Sequence, residues 1–248
     1  MGRIFSIDSK FMNFMGKVAD IFILNTIVLI LSLLIIPIGP AIIALFYVAL
    51  KEVRDMEGNI ISEFFKSFKQ NFLQGVIVEI IVTAISLFFA YDIYLMYHWM
   101  LSEQAPWTKL VFAAICGVVL MIAFGLLYVF PMIAKFYNTT GKIFKNSMAM
   151  AIGNLPYTIL IATITAGIVY GVIRLPMLVA VAIATWAFIT SIFFNKVFDR
   201  YIPKKEESSE DELPPIEEVH TVMDAPYTAS TMYVPPVEDE NQDEDVSE

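Results

Sequence analysis

Residues 18–53 read VADIFILNTIVLILSLLIIPIGPAIIALFYVALKEV, and the fold turns on whether this stretch crosses a membrane once or enters and returns. Between Asp20 and Lys51 it carries no charged residue, and its one break is Pro37-Ile38-Gly39-Pro40. A hydrocarbon core of about 30 Å takes roughly 20 helical residues to span, because backbone amides cannot be left unpaired in lipid. Residues 18–36 meet that length at about the minimum. Residues 38–53 would make only about 24 Å of helix, short for a full crossing. Four later apolar stretches, 73–97, 110–134, 155–173 and 176–194, are long enough without difficulty.

Positive charge settles the count, because Lys and Arg in short loops stay on the cytoplasmic side. If residues 18–53 form a hairpin, the cytoplasmic segments collect 14 of the 16 bases, leaving Lys109 and Arg174 outside. A single crossing does worse, with 11 inside and 5 outside. The hairpin reading holds even if the Pro37-to-Pro40 turn dips only partway into the outer leaflet, since a re-entrant hairpin returns to the same side. The basic start followed by residues 18–36 is not a secretory signal: the apolar stretch is too long and no small-x-small site closes it.

Composition agrees with lipid as solvent, at 58% hydrophobic and 17% charged against about 25% charged in an ordinary soluble domain. The charges are segregated. Residues 1–205 hold all 16 bases against 10 acids, whereas residues 206–248 hold 15 acids and no base. The overall −9 therefore averages a basic membrane domain, 1–205, with an acidic tail, 206–248. The tail is rich in Glu, Asp, Ser and Pro and cannot bury enough apolar surface to fold alone, so disorder is expected there. Its two similar fragments, Pro214-Pro215 followed by Ile-Glu-Glu and Pro235-Pro236 followed by Val-Glu-Asp, are candidate docking motifs, because proline pairs hold an extended form at little ordering cost.

Two short stretches differ from the spans. In residues 61–72, Phe64, Phe65, Phe68 and Phe72 fall near one helical face with the charges elsewhere. Residues 140–152 bring Ile143, Phe144 and Met148 together and carry Lys142 and Lys145. Both patterns predict amphipathic helices lying in the headgroup layer, and each stands just before a membrane helix, a weak internal repeat. Tyr91, Tyr94, Tyr97, Trp99 and Trp107 crowd the longer outer loop as an interfacial belt. Gly167 and Gly171 have the spacing that lets membrane helices approach closely.

The expected architecture is therefore all-α, a polytopic helical membrane bundle of about six transmembrane helices, the second short or re-entrant, with two interfacial amphipathic helices. Three ionisable groups fall within its spans, where polar groups are costly and mark function by default. Asp20 and Asp92 lie near helix ends, where interface anchoring is favoured over function, and both stay candidates beside Glu79. Glu79 lies deeper, with no base nearby in its own helix; a structural hydrogen bond and a functional carboxylate both remain open for it. Phosphate-loop, zinc-protease and nucleophile-elbow motifs are absent. The two histidines, His98 and His220, fall on opposite sides of the membrane and cannot share a metal. The expectation is a protein that is not an enzyme, with no cofactor, no metal and no nucleic-acid partner, and with the lipid bilayer as its medium. The lone Cys116 reads as a small buried hydrophobe.

The run Phe14-Met15-Gly16-Lys17-Val18-Ala19-Asp20, then Pro37-Ile38-Gly39-Pro40-Ala41 with Ala44-Leu45-Phe46-Tyr47, then Phe64-Phe65-Lys66-Ser67-Phe68-Lys69-Gln70-Asn71-Phe72 resembles the YesL family of bacterial membrane proteins, carried as a domain of unknown function. The likeness covers about residues 1–200, is most specific before Phe72, and leaves the tail aside. Members often sit beside genes for carbohydrate importers and polysaccharide breakdown. The resemblance thus implies a bacterial cell membrane protein with a role near carbohydrate uptake, and the expected partner is a carbohydrate ABC importer or another membrane protein. It brings no catalytic residues. Two functions stay open: an accessory or assembly component, and a small-solute transporter or channel using Glu79.

Overall fold

A computed structural model describes residues 10–54, 56, 58–102 and 106–202. The acidic tail, with Pro214, Pro215, Pro235 and Pro236, lies outside the described residues. Among those described there are eight α-helices and no strand: α1 Lys10–Ser32, α2 Ile38–Glu52, α3 Ile60–Gln70, α4 Phe72–Ser102, α5 Pro106–Lys135, α6 Thr140–Gly153, α7 Leu155–Arg174 and α8 Val179–Phe198, the last entered through a 3-10 turn, Pro176–Leu178. Five of them, α1, α4, α5, α7 and α8, are long and apolar enough to cross a membrane, so the chain is a multi-pass membrane protein. These are the expected spans with shifted ends. The first helix stops at Ser32 rather than Ile36, and α4 runs on to Ser102.

The sixth expected crossing is α2, 15 residues long. It is the centre of the molecule, packed against α1, α3, α4, α5 and α8. Ala41, Ala44, Leu45, Phe46 and Ala49 are fully buried. The Phe46 ring meets Trp186 edge-on at 5.1 Å and Phe194 at 5.8 Å. From Phe194 the aromatic packing continues to Tyr128 of α5 at 5.0 Å and through Phe198 to Phe136 at 5.2 Å.

The two amphipathic helices exist, and each packs part of its apolar face on a neighbouring helix. Helix α3 packs on α2, and the Phe face that runs from it into the first residue of α4 is divided: Phe64 is fully buried, while Phe65 and Phe72 stay exposed. Helix α6 packs back along α5 and buries Ile143, Ser147 and Met150. Burial against protein removes apolar area from either solvent and adds close-packed contacts, so a neighbouring helix displaces the lipid. Asn59 starts α3 by accepting the amides of Ile61 and Ser62 at 3.2 Å each, the usual remedy for orphan donors at a helix start.

The weak repeat is structural as well. Helix α3 ends at Asn71, whose amide donates to Ser67 O at 3.0 Å, and α4 follows. Helix α6 ends at Asn154, whose amide donates to Met150 O at 3.1 Å, and α7 follows. In both places an asparagine turns its side chain onto the carbonyl four residues back, and a long apolar helix begins one residue later.

The close approaches differ from those expected. A Cβ added at Gly167 would touch nothing within 4 Å, and one at Gly171 would meet only Leu178 at 3.7 Å, so this pair brings no helix close. The tight crossing is between Gly39 of α2 and Gly75 of α4. A Cβ at Gly39 would lie 2.5 Å from Gly75 O, and one at Gly75 would lie 2.8 Å from Pro40 N. Only a residue without a side chain fits either place.

Candidate functional site

At this crossing the polar candidate Glu79 finds its partner. Its carboxylate Oε2 accepts the backbone N–H of Gly39 at 2.9 Å. The first four amides of any helix lack an intrahelical acceptor. In α2 these belong to Ile38, Gly39, Pro40 and Ala41. Proline has no N–H, Ile38 N donates to Ile35 O at 3.2 Å, and Ala41 N donates to Pro37 O at 2.9 Å. Gly39 is left for Glu79. The carboxylate also stands at the positive end of the helix dipole. A hydrogen bond contributes about 0.5–1.5 kcal/mol net, and this one ties α2 to α4. Of the two readings left open by the sequence, the arrangement provides the structural one.

Asp92 lies thirteen residues further along α4, about 20 Å at the helical rise. Asp20 sits half-buried on α1, which shares no extended contact with α4. The three carboxylates are not gathered into one site. Among the described residues no three His, Cys, Asp or Glu side chains come together as a metal ion would require. Cys116 is a half-buried free thiol.

A second polar region lies where α2, α3, α7 and α8 end or begin, and it carries the basic residues. Lys51 pairs with Glu63, tying α2 to α3. Arg54 pairs with Asp199 and also donates from Nε to Asn195 Oδ1 at 2.9 Å. Asn195, nearly buried, donates in turn to Leu50 O at 3.0 Å, covering one of the last carbonyls of α2. Arg200 donates to Asn154 Oδ1 at 2.9 Å and lies over the Tyr157 ring at 5.0 Å, while Asn154 donates to the Tyr201 hydroxyl at 2.9 Å. The ends of α2 and α8 and the α6–α7 junction are fixed by these bonds.

Asn25 escaped the sequence reading. It is fully buried in α1 and bridges to α8, donating to Val179 O at 3.0 Å and accepting the Ala184 amide at 3.0 Å. The available signal was a carboxamide in mid-span, since a buried amide left unpaired costs about 1–3 kcal/mol. The Glu79–Gly39 contact had a signal too: a glycine between prolines at a helix start leaves one donor needing an acceptor. At the α4–α5 connection two pairs from the expected belt region pack on each other, Trp99 against Trp107 at 5.1 Å and Tyr94 against His98 at 4.5 Å. These polar groups hold helices together, and their geometry offers packing and registration.

Residues 21–93 match the model of a family described as "Protein of unknown function, DUF624". YesL-like proteins are carried under that description, so the resemblance found in the N-terminal third is borne out over a stretch that contains Gly39, Gly75 and Glu79. No curated protein and no solved structure matches the chain.

Proposed function

We propose that the chain is a non-catalytic accessory membrane protein that associates with a carbohydrate importer or with its assembly. In this reading the bacterial cell membrane holds the helical domain, both termini face the cytoplasm, and the acidic tail is a cytoplasmic contact. The observation that carries the reading is the engagement of Glu79: a carboxylate within a span accepts Gly39 N–H and positions a helix, which suits a scaffold. Helices α4 and α5 supply a long apolar surface for a membrane neighbour, with Leu87, Phe88, Leu110 and Val118 all exposed. The link to carbohydrate uptake rests on the family resemblance.

Affinity purification of the full chain from native membranes tests the proposal. A stoichiometric importer subunit among the co-purifying proteins is the expected result. Solute flux by the purified protein alone in liposomes, without such a partner, overturns it in favour of a transporter. Orientation is tested separately in a Cys116→Ser background. Cysteines at Ser62 and Ser208 are expected to be shielded from an impermeant thiol reagent in intact cells, and labelling of either from outside contradicts cytoplasmic termini.

A further inference from the structure

The connection between α1 and α2 is built for hydrocarbon. Leu33, Leu34, Ile35 and Ile36 are 82%, 66%, 72% and 63% exposed, four aliphatic side chains in succession around a tight turn. A turn in water is ordinarily made of Gly, Asn, Asp or Ser. Here even the position with left-handed backbone, Ile35 at φ 61°, is a β-branched aliphatic, where glycine or asparagine would be unstrained. Apolarity has been kept at every position in preference to backbone comfort.

The backbone donors follow the same rule. The amides of Leu33, Leu34, Ile35, Ile36, Ile38 and Ala41 donate to Ile30, Leu31, Ser32, Leu34, Ile35 and Pro37 carbonyls respectively. Gly39 donates to Glu79, and Pro37 and Pro40 have no N–H. Every N–H from Leu33 to Ala41 is therefore absent or bonded within the protein, as a lipid-exposed backbone demands.

Position along α4 gives an independent measure. Gly39 meets Glu79 only seven residues from Phe72, the first residue of α4, or about 10 Å by the helical rise. From Glu79 to Tyr94 in the aromatic belt is a further fifteen residues, about 22 Å. Seven residues from Ser32 to Gly39 would have to be fully extended, at about 3.3 Å each, to climb that distance. They are wound in successive turns instead.

From these observations we infer that α1 and α2 form a re-entrant hairpin whose tip, residues 33–36, lies among the acyl chains of the bilayer and does not reach the water beyond the aromatic belt. The occupant of the tip is fluid lipid, because four successive aliphatic residues, all strongly exposed, sit on a turn and not along one face of a helix. Glu79 is the part of this device contributed by α4: it accepts the one N–H at the start of α2 that neither proline nor the turn removes.

The test places single cysteines at Leu34 and Ser102 in the full-length Cys116→Ser protein, labels each with bimane in detergent, and reconstitutes it into phosphatidylcholine vesicles. Ser102 is the water-facing control, exposed at the end of α4. Nitroxide on the lipid acyl chains is expected to quench the Leu34 probe more strongly than iodide does, with the order reversed for the Ser102 probe. An Ile36→Cys probe repeats the measurement should the first variant fold poorly. Iodide quenching of the tip as strong as that of Ser102 overturns the inference. Shielding of both tip probes from iodide and nitroxide lipid alike also overturns it, by showing that a second copy or another protein covers the tip.

Discussion

Helix α2 is 15 residues long and buries ten of them, whereas α4 is 31 residues long and buries Gly75 and Val78. Both are apolar, and either could be taken for a membrane span. The difference lies in what else they carry. Along α2, Gly39, Ala41, Ala44 and Ala49 let five other helices come close, and a single large ring, Phe46, fills the centre. Along α4 the side chains are large and face outward, with Ile80, Leu87, Phe88 and Tyr91 all about two-thirds exposed. In a membrane protein apolarity marks contact with either lipid or protein; small residues and short length mark the helix that the others surround.

The largest expected effect comes from filling the crossing between these two helices. Gly75→Leu would place its Cβ 2.8 Å from Pro40 N and 2.9 Å from Pro40 Cα, backbone that cannot rotate away. Overpacking against side chains that can adjust costs about 1–3 kcal/mol; here the obstacle is backbone, so the crossing itself must part, taking with it the Glu79–Gly39 bond and the seating of α2 among its neighbours. Loss of monodisperse protein in detergent is expected. Gly117→Leu, where an added Cβ meets nothing within 4 Å, should behave as wild type. Equal behaviour of the two variants would mean that the crossing does not hold α2.

Next comes truncation on the same two helices. Phe46→Ala removes a fully buried ring packed on Trp186 and Phe194 and should cost about 3–5 kcal/mol. Leu87→Ala on α4, 66% exposed, should shift the unfolding midpoint little. Thermal unfolding in detergent reads both. A large effect at Leu87 would show that a second chain covers α4.

A smaller effect separates the two roles left open for Glu79. Glu79→Gln keeps an oxygen that can accept Gly39 N–H, so stability should fall only slightly; Glu79→Leu strands that donor and should cost about 1–3 kcal/mol. If the wild-type protein carries a proton-coupled flux in liposomes and Glu79→Gln abolishes it with stability intact, the carboxylate is a coupling site and the scaffold reading falls.

Much of this fold could be read before the structure, because spans of about 20 apolar residues and the placement of Lys and Arg report on the bilayer itself. The five long helices and the shortness of α2 followed from that. What could not be read is which apolar surface meets protein. The faces of α3 and α6 carry the periodicity of interfacial helices, yet Phe64 and Ile143 are fully buried against neighbours, since hydrophobic periodicity does not distinguish lipid from a helix. Gly167 and Gly171 have the spacing of a packing motif and meet almost nothing, whereas Gly39 and Gly75, from different helices and 36 residues apart, form the real crossing. Glu79 stood out as a charge in lipid, and the prolines around Gly39 marked a helix start with a donor to satisfy, but nothing in either stretch says that the two meet across 40 residues of chain.

The smallest effect concerns the other end of α2, where Arg54 makes two contacts of different worth. Its ion pair with Asp199 is partly exposed, the side chains being 31% and 54% accessible. Solvent screens such a pair, and it should contribute no more than about 1 kcal/mol. Its bond to Asn195 lies deeper, and Asn195, 6% exposed, also covers Leu50 O. Removing that amide leaves the α2 carbonyl and the guanidinium both short of a partner, so Asn195→Ala should cost about 1–3 kcal/mol. A double-mutant cycle of Arg54→Gln with Asp199→Asn should give a coupling below about 1 kcal/mol that shrinks further in 1 M salt, where the Debye length is about 3 Å. A coupling insensitive to salt and larger than the Asn195→Ala effect would invert this order. The basic end of α2 would then be held by charge, and its likeness to the Glu79 contact at the opposite end would be closer than burial suggests.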